Sequence, residues 1–116
     1  MKLYHYTDTK GKTAIEKTEK ILQSKRDSRR DDAMYGDGVY LTSIPPTSTT
    51  AEILGNNYDG VTIPAHKKAR TEWYFEFDTD DLGDDVENVG DKNDRDIWLV
   101  RDKELPCKQK AGKRKV

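Results

Sequence analysis

Hydrophobic and polar residues alternate most regularly in the second half of the chain. Within Arg70–Asp78, the aromatic residues Trp73, Phe75 and Phe77 occupy every second position. A period of two places these three rings on one face of an extended chain, so the pattern predicts a β-strand with one buried face. Lys2–Thr7 is rich in aromatic and β-branched residues and predicts an earlier strand.

A helical spacing follows the first strand. Apolar residues recur every three to four positions from Ala14 to Leu22, within a segment rich in Lys and Glu. This spacing predicts an amphipathic helix that ends near Ser24, with Asp8 or Thr9 as its N-cap. The polar residues that follow, up to position 36, predict a surface loop.

Two glycines come before the next β-favouring run. Gly36 and Gly38 predict a turn in which the backbone passes close to another group, and the run that ends at Ser43 predicts a second strand. Two prolines stop that strand. A short helix is then predicted over Thr47–Leu54, with its first residue or Ser48 as the cap.

The most apolar run of the chain is Ile97–Val100, and it predicts a central strand. The predicted elements follow one another as strand, helix, strand, helix, strand and strand, which is typical of an α+β domain. A chain of 116 residues, of which 33% are hydrophobic and 37% are charged, has enough apolar surface for one thin core. We therefore expect a single α+β domain.

Charge is distributed unevenly, although the formal net charge is only -1. Residues 78–96 are dominated by Asp, Asn and Gly, whereas residues 108–116 contain five basic residues and no acidic one. We expect the folded domain to occupy residues 1–106 and a basic tail to occupy residues 107–116. Such a tail is either a disordered, solubilising end or a contact for nucleic acid or another anionic partner.

The cysteine content and the apolar runs bear on the compartment. Cys107 is the only cysteine, so no disulfide forms within the chain and a reducing compartment is expected. The sequence has neither a signal-peptide pattern nor an apolar run long enough to span a membrane. We therefore expect a cytoplasmic monomer, or an effector delivered by other machinery, with no membrane partner. His5, His66 and Cys107 are far apart in sequence, and no metal is expected.

Two short motifs are similar to a signature of known enzymes. Residues 3–7 read Leu-Tyr-His-Tyr-Thr, and residues 35–42 read Tyr-Gly-Asp-Gly-Val-Tyr-Leu-Thr. In this order, with a helix between them, they resemble the H-Y-D/E branch of the ADP-ribosyltransferase superfamily, and most of all its toxin-type group with the HYD1 signature. The resemblance covers residues 3–54 and is loose beyond them. It implies the split, mixed β-sheet with short helices of the PARP-like catalytic fold.

The same resemblance implies how NAD+ is held. His5 is expected to hydrogen-bond a ribose hydroxyl on the adenosine side, the backbone of Tyr6 to pair with the nicotinamide carboxamide, and the ring of Tyr40 to stack on the nicotinamide. The further NAD+ contacts that it implies are Thr7, Gly36, Gly38 and Ser48. Poly-ADP-ribose polymerases usually have Gly at the position of Tyr6, so here either the backbone tolerates a side chain or the ring faces the core.

A carboxylate completes the implied site. In the superfamily it begins a late strand and binds the 2′-hydroxyl of the nicotinamide ribose. Asp96, directly before the last predicted strand, is our choice, with Asp94 and Asp78 as alternatives. Cleavage of the bond between nicotinamide and ribose develops positive charge on the sugar, so a carboxylate and an aromatic face suit the reaction. The predicted catalytic residues are therefore His5, Tyr40 and Asp96.

The function that these residues predict is transfer of ADP-ribose from NAD+ with release of nicotinamide, or NAD+ hydrolysis when water is the acceptor. The acceptor is not indicated, and protein, nucleic acid and small molecules all stay open. Arg26, Arg29 and Arg30 lie in the loop between the two motifs and either bind the pyrophosphate or are merely solvated. The alternatives are a non-catalytic module that binds NAD+ or ADP-ribose, and a small nucleic-acid-binding domain.

Overall fold

The computed structural model describes residues 1–23, 36–57, 65–90 and 95–114. Its strands are β1 (Lys2–Thr7), β2 (Lys20–Ile21), β3 (Gly38–Leu41), β4 (Trp73–Asp78), β5 (Val86–Asn88), β6 (Trp98–Arg101), β7 (Leu105–Pro106) and β8 (Gly112–Lys113). Its helices are α1 (Thr9–Thr18), α2 (Thr50–Asn57) and α3 (Thr79–Leu82), and 3-10 turns occupy Ala65–Thr71 and Gly83–Asp85. The predicted α+β fold class is confirmed.

Most of the described strands form two three-stranded sheets, which a pair of backbone hydrogen bonds connects. One sheet has the order β1-β4-β8 and the other β3-β6-β5, while β2 and β7 pair separately. The connection joins Tyr4 of β1 to Thr42, just after β3, by hydrogen bonds of 2.7 and 2.9 Å. This arrangement is the split sheet that the resemblance implies. Every ladder in the described residues is antiparallel, so the parallel pair of a mixed sheet is not among them.

The strands that a local pattern predicts are present. The strand at Lys2–Thr7 has the predicted bounds. The alternating segment is extended only from Trp73 onward, because a 3-10 turn precedes it, and Phe75 at its centre is fully buried. The apolar run forms β6 one residue later than predicted. It is the middle strand of its sheet, and Leu99 and Val100 are fully buried there.

Helix α1 begins as predicted but ends earlier. The side chain of Asp8 caps it by accepting a hydrogen bond of 2.7 Å from the backbone of Gly11. The prediction of a helix to Ser24 is wrong, because Glu19 takes the left-handed conformation with φ 59° and the helix stops at Thr18. The apolar residues beyond this point begin strand β2, which pairs with β7.

Helix α2 lies three residues later than predicted. Its cap is Thr49, whose hydroxyl accepts a hydrogen bond of 3.1 Å from the backbone of Glu52. The predicted caps, Thr47 and Ser48, are therefore wrong. Ser48 belongs instead to a turn, in which its N–H donates to the carbonyl of Pro45 at 3.0 Å.

The core lies between the two sheets and against α1. Its buried residues are Leu3, Ile15, Ile21, Val39, Leu41, Phe75, Val100, Leu105 and Cys107. Both sheets contribute to it, since Leu3 and Phe75 come from the first and Val39 and Val100 from the second. The core thus holds β1 and β3 near each other, although among the described residues backbone hydrogen bonds connect the two segments only between Tyr4 and Thr42.

The C-terminal residues up to Arg114 belong to the fold. The side chain of Arg114 is buried, and β8 pairs with β4 so that Gly112 lies opposite Tyr74. A Cβ on Gly112 would lie 2.3 Å from the Tyr74 ring, so a side chain at this position would force the ring or the strand to shift. The prediction of a disordered, solubilising end is therefore wrong for residues 108–114. The division of the chain after residue 106 stays a prediction.

Candidate functional site

The candidate site begins where β1 and β3 separate. Hydrogen-bonded pairs of an antiparallel ladder recur every second residue, so the pair after the Tyr4 connection would join Tyr6 to Tyr40. No backbone hydrogen bond joins these two residues in the part of the chain that the structure describes. Glu76 lies opposite Tyr4 in β4, but its backbone N–H and C=O bond to the side chain of Gln109. Tyr4 and Glu76 are therefore a pair without backbone hydrogen bonds between β1 and β4. By the same alternation, the N–H and C=O of Tyr6 face the opening between β1 and β3, here called the β1–β3 gap.

His5 lies at this gap and is held by the backbone of β3. Its Nδ1 is 3.0 Å from the carbonyl oxygen of Tyr40. Since a carbonyl oxygen only accepts, Nδ1 carries the hydrogen, and the neutral ring offers Nε2 as an acceptor. Burial lowers the pKa of His5, and the hydrogen bond to Tyr40 offsets only part of that effect. The imidazole is therefore neutral at pH 7.

A cavity of about 370 Å³ opens beside His5. Its lining residues are His5, Tyr6, Thr7, Asp8, Gly11, Ala14, Ile15, Thr18, Lys20, Ile21, Leu22 and Arg70. Three predicted site residues, all from β1, therefore line one cavity. Arg70 belongs to the same lining and was not predicted. It stands in a basic stretch before β4, and no motif or spacing distinguishes it there.

Tyr40 is next to His5, but the two rings project from different faces. Alternation along β3 places Val39 in the core, so the ring of Tyr40 leaves the strand on the opposite face. Its hydroxyl donates a hydrogen bond of 2.5 Å to the carbonyl of Gly36. On β1, His5 shares the face of the core residue Leu3. A ligand that contacts both rings must therefore pass through the β1–β3 gap.

Gly36 and Gly38 have φ angles of 116° and 153°, which side chains rarely adopt. The space next to each is occupied by the neighbouring strand. A Cβ on Gly38 would lie 2.3 Å from the carbonyl oxygen of Val100, and one on Gly36 would lie 2.7 Å from Nη1 of Arg101. Both glycines thus permit close packing of β3 and its preceding turn against β6. In the direction of a side chain, the protein itself therefore fills the space at both glycines, which the resemblance implies as contacts of NAD+.

Asp96 is tied to the residue after the connection between the sheets. Its carboxylate accepts hydrogen bonds from the Ser43 N–H at 2.9 Å, from the Ser43 hydroxyl and from the Trp98 indole at 3.1 Å. The Asn56 side-chain amide fixes the Asp96 backbone at 2.7 and 2.8 Å. Since Ser43 directly follows Thr42, the carboxylate lies next to the connection between the sheets, one residue beyond it on the side away from Tyr40. Ser43, Trp98 and Asn56 were not predicted as its partners.

The alternative carboxylate Asp78 has a structural role at the other end of β1. It caps α3 by accepting a hydrogen bond of 3.0 Å from the backbone of Asp80, and it lies 3.6 Å from the ammonium of Lys2. The backbone hydrogen bond is the main cause of its lowered pKa. The remaining predicted side chains, Asp94, Arg26, Arg29 and Arg30, lie outside the described residues.

The ring of Tyr6 does not join the buried core. It stacks on Tyr4 with the ring centroids 6.2 Å apart, and its hydroxyl donates to the carbonyl of Ile44 at 2.6 Å. Of the two alternatives for Tyr6, these contacts agree with the first, in which the backbone tolerates a side chain and the ring does not face the core. The hydroxyl of Ser48 makes no hydrogen bond within the described residues, while its carbonyl accepts one of 2.5 Å from Arg114.

Three further observations bear on the chemistry of the site. None of the helices in the described residues has the length and apolar composition to cross a membrane. Among those residues, no three His, Cys, Asp or Glu side chains are grouped so that they could hold a metal ion. Burial raises the pKa of Cys107, so its thiol is protonated at neutral pH and does not suit a nucleophile.

The imidazole of His5 should make folding pH-dependent. Its pKa in the folded protein is below the ordinary value of 6.5, so the unfolded chain binds more protons once the pH falls below that value. We therefore expect full stability above pH 6.5 and a decrease in the free energy of unfolding as the pH falls through the folded pKa. His5→Asn, whose amide N–H can still bond the Tyr40 carbonyl, should lose less stability on acidification. Thermal unfolding of both proteins from about pH 7.5 to 5.5 measures this, and equal losses would contradict it.

Comparison with family models gives a match over residues 3–103. The family model that matches is described as HYD1 signature containing ADP-ribosyltransferase. The match covers most of the chain and includes His5, Tyr40 and Asp96. No curated protein and no solved structure matches the chain.

Proposed function

Because the chain belongs to the family of HYD1 signature containing ADP-ribosyltransferases, we propose that it binds NAD+ across the β1–β3 gap, cleaves it and transfers the ADP-ribosyl group. The observation that carries this proposal is the separation of β1 from β3 at Tyr6, beside a neutral His5. Tyr6 offers a strand edge that can bind an amide, and His5 offers an acceptor that can bind a hydroxyl. NAD+ carries both groups.

The free edge of Tyr6 suits the nicotinamide carboxamide. That group has one carbonyl acceptor and one NH₂ donor, and the N–H and C=O of a single strand residue are complementary to them. The same pairing joins Tyr4 to Thr42 one step earlier along β1. The carboxamide thus continues the ladder where Tyr40 leaves it. Since only main-chain groups take part, a tyrosine at this position supplies them as glycine does.

The cavity beside His5 suits the adenosine side of the dinucleotide. Nε2 accepts a hydrogen bond from a ribose hydroxyl while Nδ1–H stays on the carbonyl of Tyr40. Arg70 lines the same cavity, and its guanidinium suits the pyrophosphate oxygens, which it can bind through two parallel hydrogen bonds. From this cavity NAD+ extends through the gap toward Asp96.

The reaction breaks the bond between C1′ of the ribose and the ring nitrogen of nicotinamide. The electron pair of that bond leaves with nicotinamide, which becomes neutral, and positive charge develops on the ribose. The Asp96 carboxylate, oriented by Ser43 and Trp98, binds the 2′-hydroxyl and stabilises this charge. The Tyr40 ring, on the far face of β3, stacks on the nicotinamide.

The acceptor completes the transfer. Its nucleophilic atom forms the new bond to C1′ and releases its proton to solvent, so the acceptor gains one ADP-ribosyl group. When water is the acceptor, the product is free ADP-ribose and the enzyme acts as an NAD+ glycohydrolase.

Nicotinamide release tests the proposal. We expect the purified chain to release nicotinamide from NAD+, and mass spectrometry of protein, nucleic-acid and small-molecule acceptors to identify which one gains ADP-ribose. Free ADP-ribose without any modified acceptor would indicate the glycohydrolase. Binding of NAD+ without nicotinamide release would indicate a non-catalytic binding module, and neither binding nor release would contradict the proposal.

A further inference from the structure

Arg114 is a buried cation that reaches the segment after β3. Only 5% of its surface is exposed. Its guanidinium donates to the carbonyl oxygens of Pro46 (3.1 Å), Ser48 (2.5 Å) and Thr71 (3.1 Å) and to the Thr50 hydroxyl (3.3 Å). Three of these acceptors belong to residues 46–50, which lead from β3 into α2.

The partners of this guanidinium are all neutral oxygens. No carboxylate of the described chain pairs with Arg114, although a buried charge costs free energy unless hydrogen bonds replace those with water. The planar fork of donors meets this need by binding oxygens from two segments of the chain. The path of residues 46–50 therefore depends on the guanidinium.

This segment borders the proposed nicotinamide end of the site. The hydroxyl of Tyr6 bonds the carbonyl of Ile44, and Ser43, one residue earlier, bonds the carboxylate of Asp96. The positive charge of Arg114 also opposes the rise in the pKa of Tyr6 that burial causes. Residues 44–50 thus connect the contacts of Arg114 with those of Tyr6 and Asp96.

We propose that Arg114 is a positioning residue, which holds residues 44–50 so that Tyr6 and Asp96 keep the geometry that the nicotinamide end of NAD+ requires. This inference rests on the proposed function. It assigns the larger effect of Arg114 to the nicotinamide end, because three of its four acceptors lie in residues 46–50 and only the Thr71 carbonyl is next to Arg70 of the cavity beside His5.

Strand β8 brings Arg114 to this place. The N–H of Arg114 donates to the carbonyl of Glu72 at 2.8 Å, and Gly112 packs against the ring of Tyr74. A methyl group at Gly112 would lie 2.3 Å from that ring, so in Gly112→Ala either the ring of Tyr74 or strand β8 must shift.

The experiment compares Arg114→Met and Arg114→Lys with Lys113→Met, which removes one positive charge from the exposed neighbouring position. For each variant of the whole chain, kcat and KM are measured for nicotinamide release, and the affinities for nicotinamide and for ADP are measured by calorimetry. We expect Arg114→Met to lower kcat/KM about tenfold and to weaken nicotinamide binding, because the segment next to Tyr6 shifts. Arg114→Lys keeps the charge but lacks the fork, so its loss should be intermediate. In both Arg114 variants ADP affinity should change less than nicotinamide affinity, because Arg70 is connected to the guanidinium only through the neighbouring Thr71. All constants of Lys113→Met should equal those of the wild type.

Two results would overturn the positioning role. One is wild-type kcat/KM in Arg114→Met; the other is ADP affinity that falls in step with nicotinamide affinity, which indicates general destabilisation. If Arg114→Met does not fold, Arg114→Lys decides by the same criteria. A wild-type chain that neither binds nicotinamide nor releases it from NAD+ would refute the proposed function and this inference together.

Discussion

Asp96→Asn is expected to lower kcat for nicotinamide release by about 100- to 1,000-fold while the fold is kept. In the proposed mechanism, the substitution removes the negative charge that stabilises the ribose cation. The hydrogen bonds of the side chain at position 96 are kept. The amide oxygen can accept from the Ser43 N–H and the Trp98 indole, and the amide nitrogen can donate to the Ser43 hydroxyl. KM should change much less than kcat, since the loss concerns the transition state. Steady-state kinetics of nicotinamide release measures both constants.

Asp78→Asn is the matched control, because it makes the same change at the alternative carboxylate. The contacts of Asp78 with Asp80 and Lys2 concern the start of α3 and the pairing of strand ends. We therefore expect wild-type turnover in this variant. Lost turnover in Asp78→Asn together with normal turnover in Asp96→Asn would transfer the catalytic role to Asp78.

His5→Ala and His5→Asn are both expected to reduce kcat/KM about 10- to 100-fold, because NAD+ loses a contact that orients it. The Asn variant separates the roles of the two ring nitrogens. Its amide N–H can replace Nδ1–H on the Tyr40 carbonyl, whereas no group replaces Nε2. ADP affinity, measured alongside the kinetics, should fall in both variants. Wild-type activity in His5→Asn would show that only the bond to Tyr40 matters and that Nε2 binds no ribose.

The elements that depend on local pattern could be predicted. The composition of Lys2–Thr7 and the apolar run at Ile97–Val100 are properties of the segments themselves, and both segments contain strands. The Asp8 cap lies directly beside the helix that it caps, so its role was visible as well. Local physical preferences and the final fold agree at these places.

The elements that depend on distant contacts were missed. The helical spacing of α1 continues past Glu19, and the conformation of that one residue ends the helix. Strand β8 has two residues, too few for any period. The acceptors of the Arg114 guanidinium are 43 to 68 residues away in the chain. The basic composition alone therefore suggested a solvated end, whereas the structure buries the side chain of Arg114 and bonds it to two distant segments of the chain.

The part of the candidate site that lies within the two sequence motifs could be predicted. The motifs identified His5 and Tyr40, and the structure joins them through one hydrogen bond. The β1–β3 gap could not be predicted, because it depends on a backbone pair between Tyr6 and Tyr40 that does not form. The place of Arg70 in the cavity could not be predicted either, because it depends on the 3-10 turn before β4.

A crystal structure of the chain with an NAD+ analogue that resists cleavage tests most directly whether the β1–β3 gap binds NAD+. We predict that the carboxamide bonds the N–H and C=O of Tyr6, that a ribose hydroxyl on the adenosine side bonds Nε2 of His5, and that the other ribose reaches Asp96. An analogue bound elsewhere, with no contact to Tyr6 or His5, would contradict the site and the mechanism derived from it.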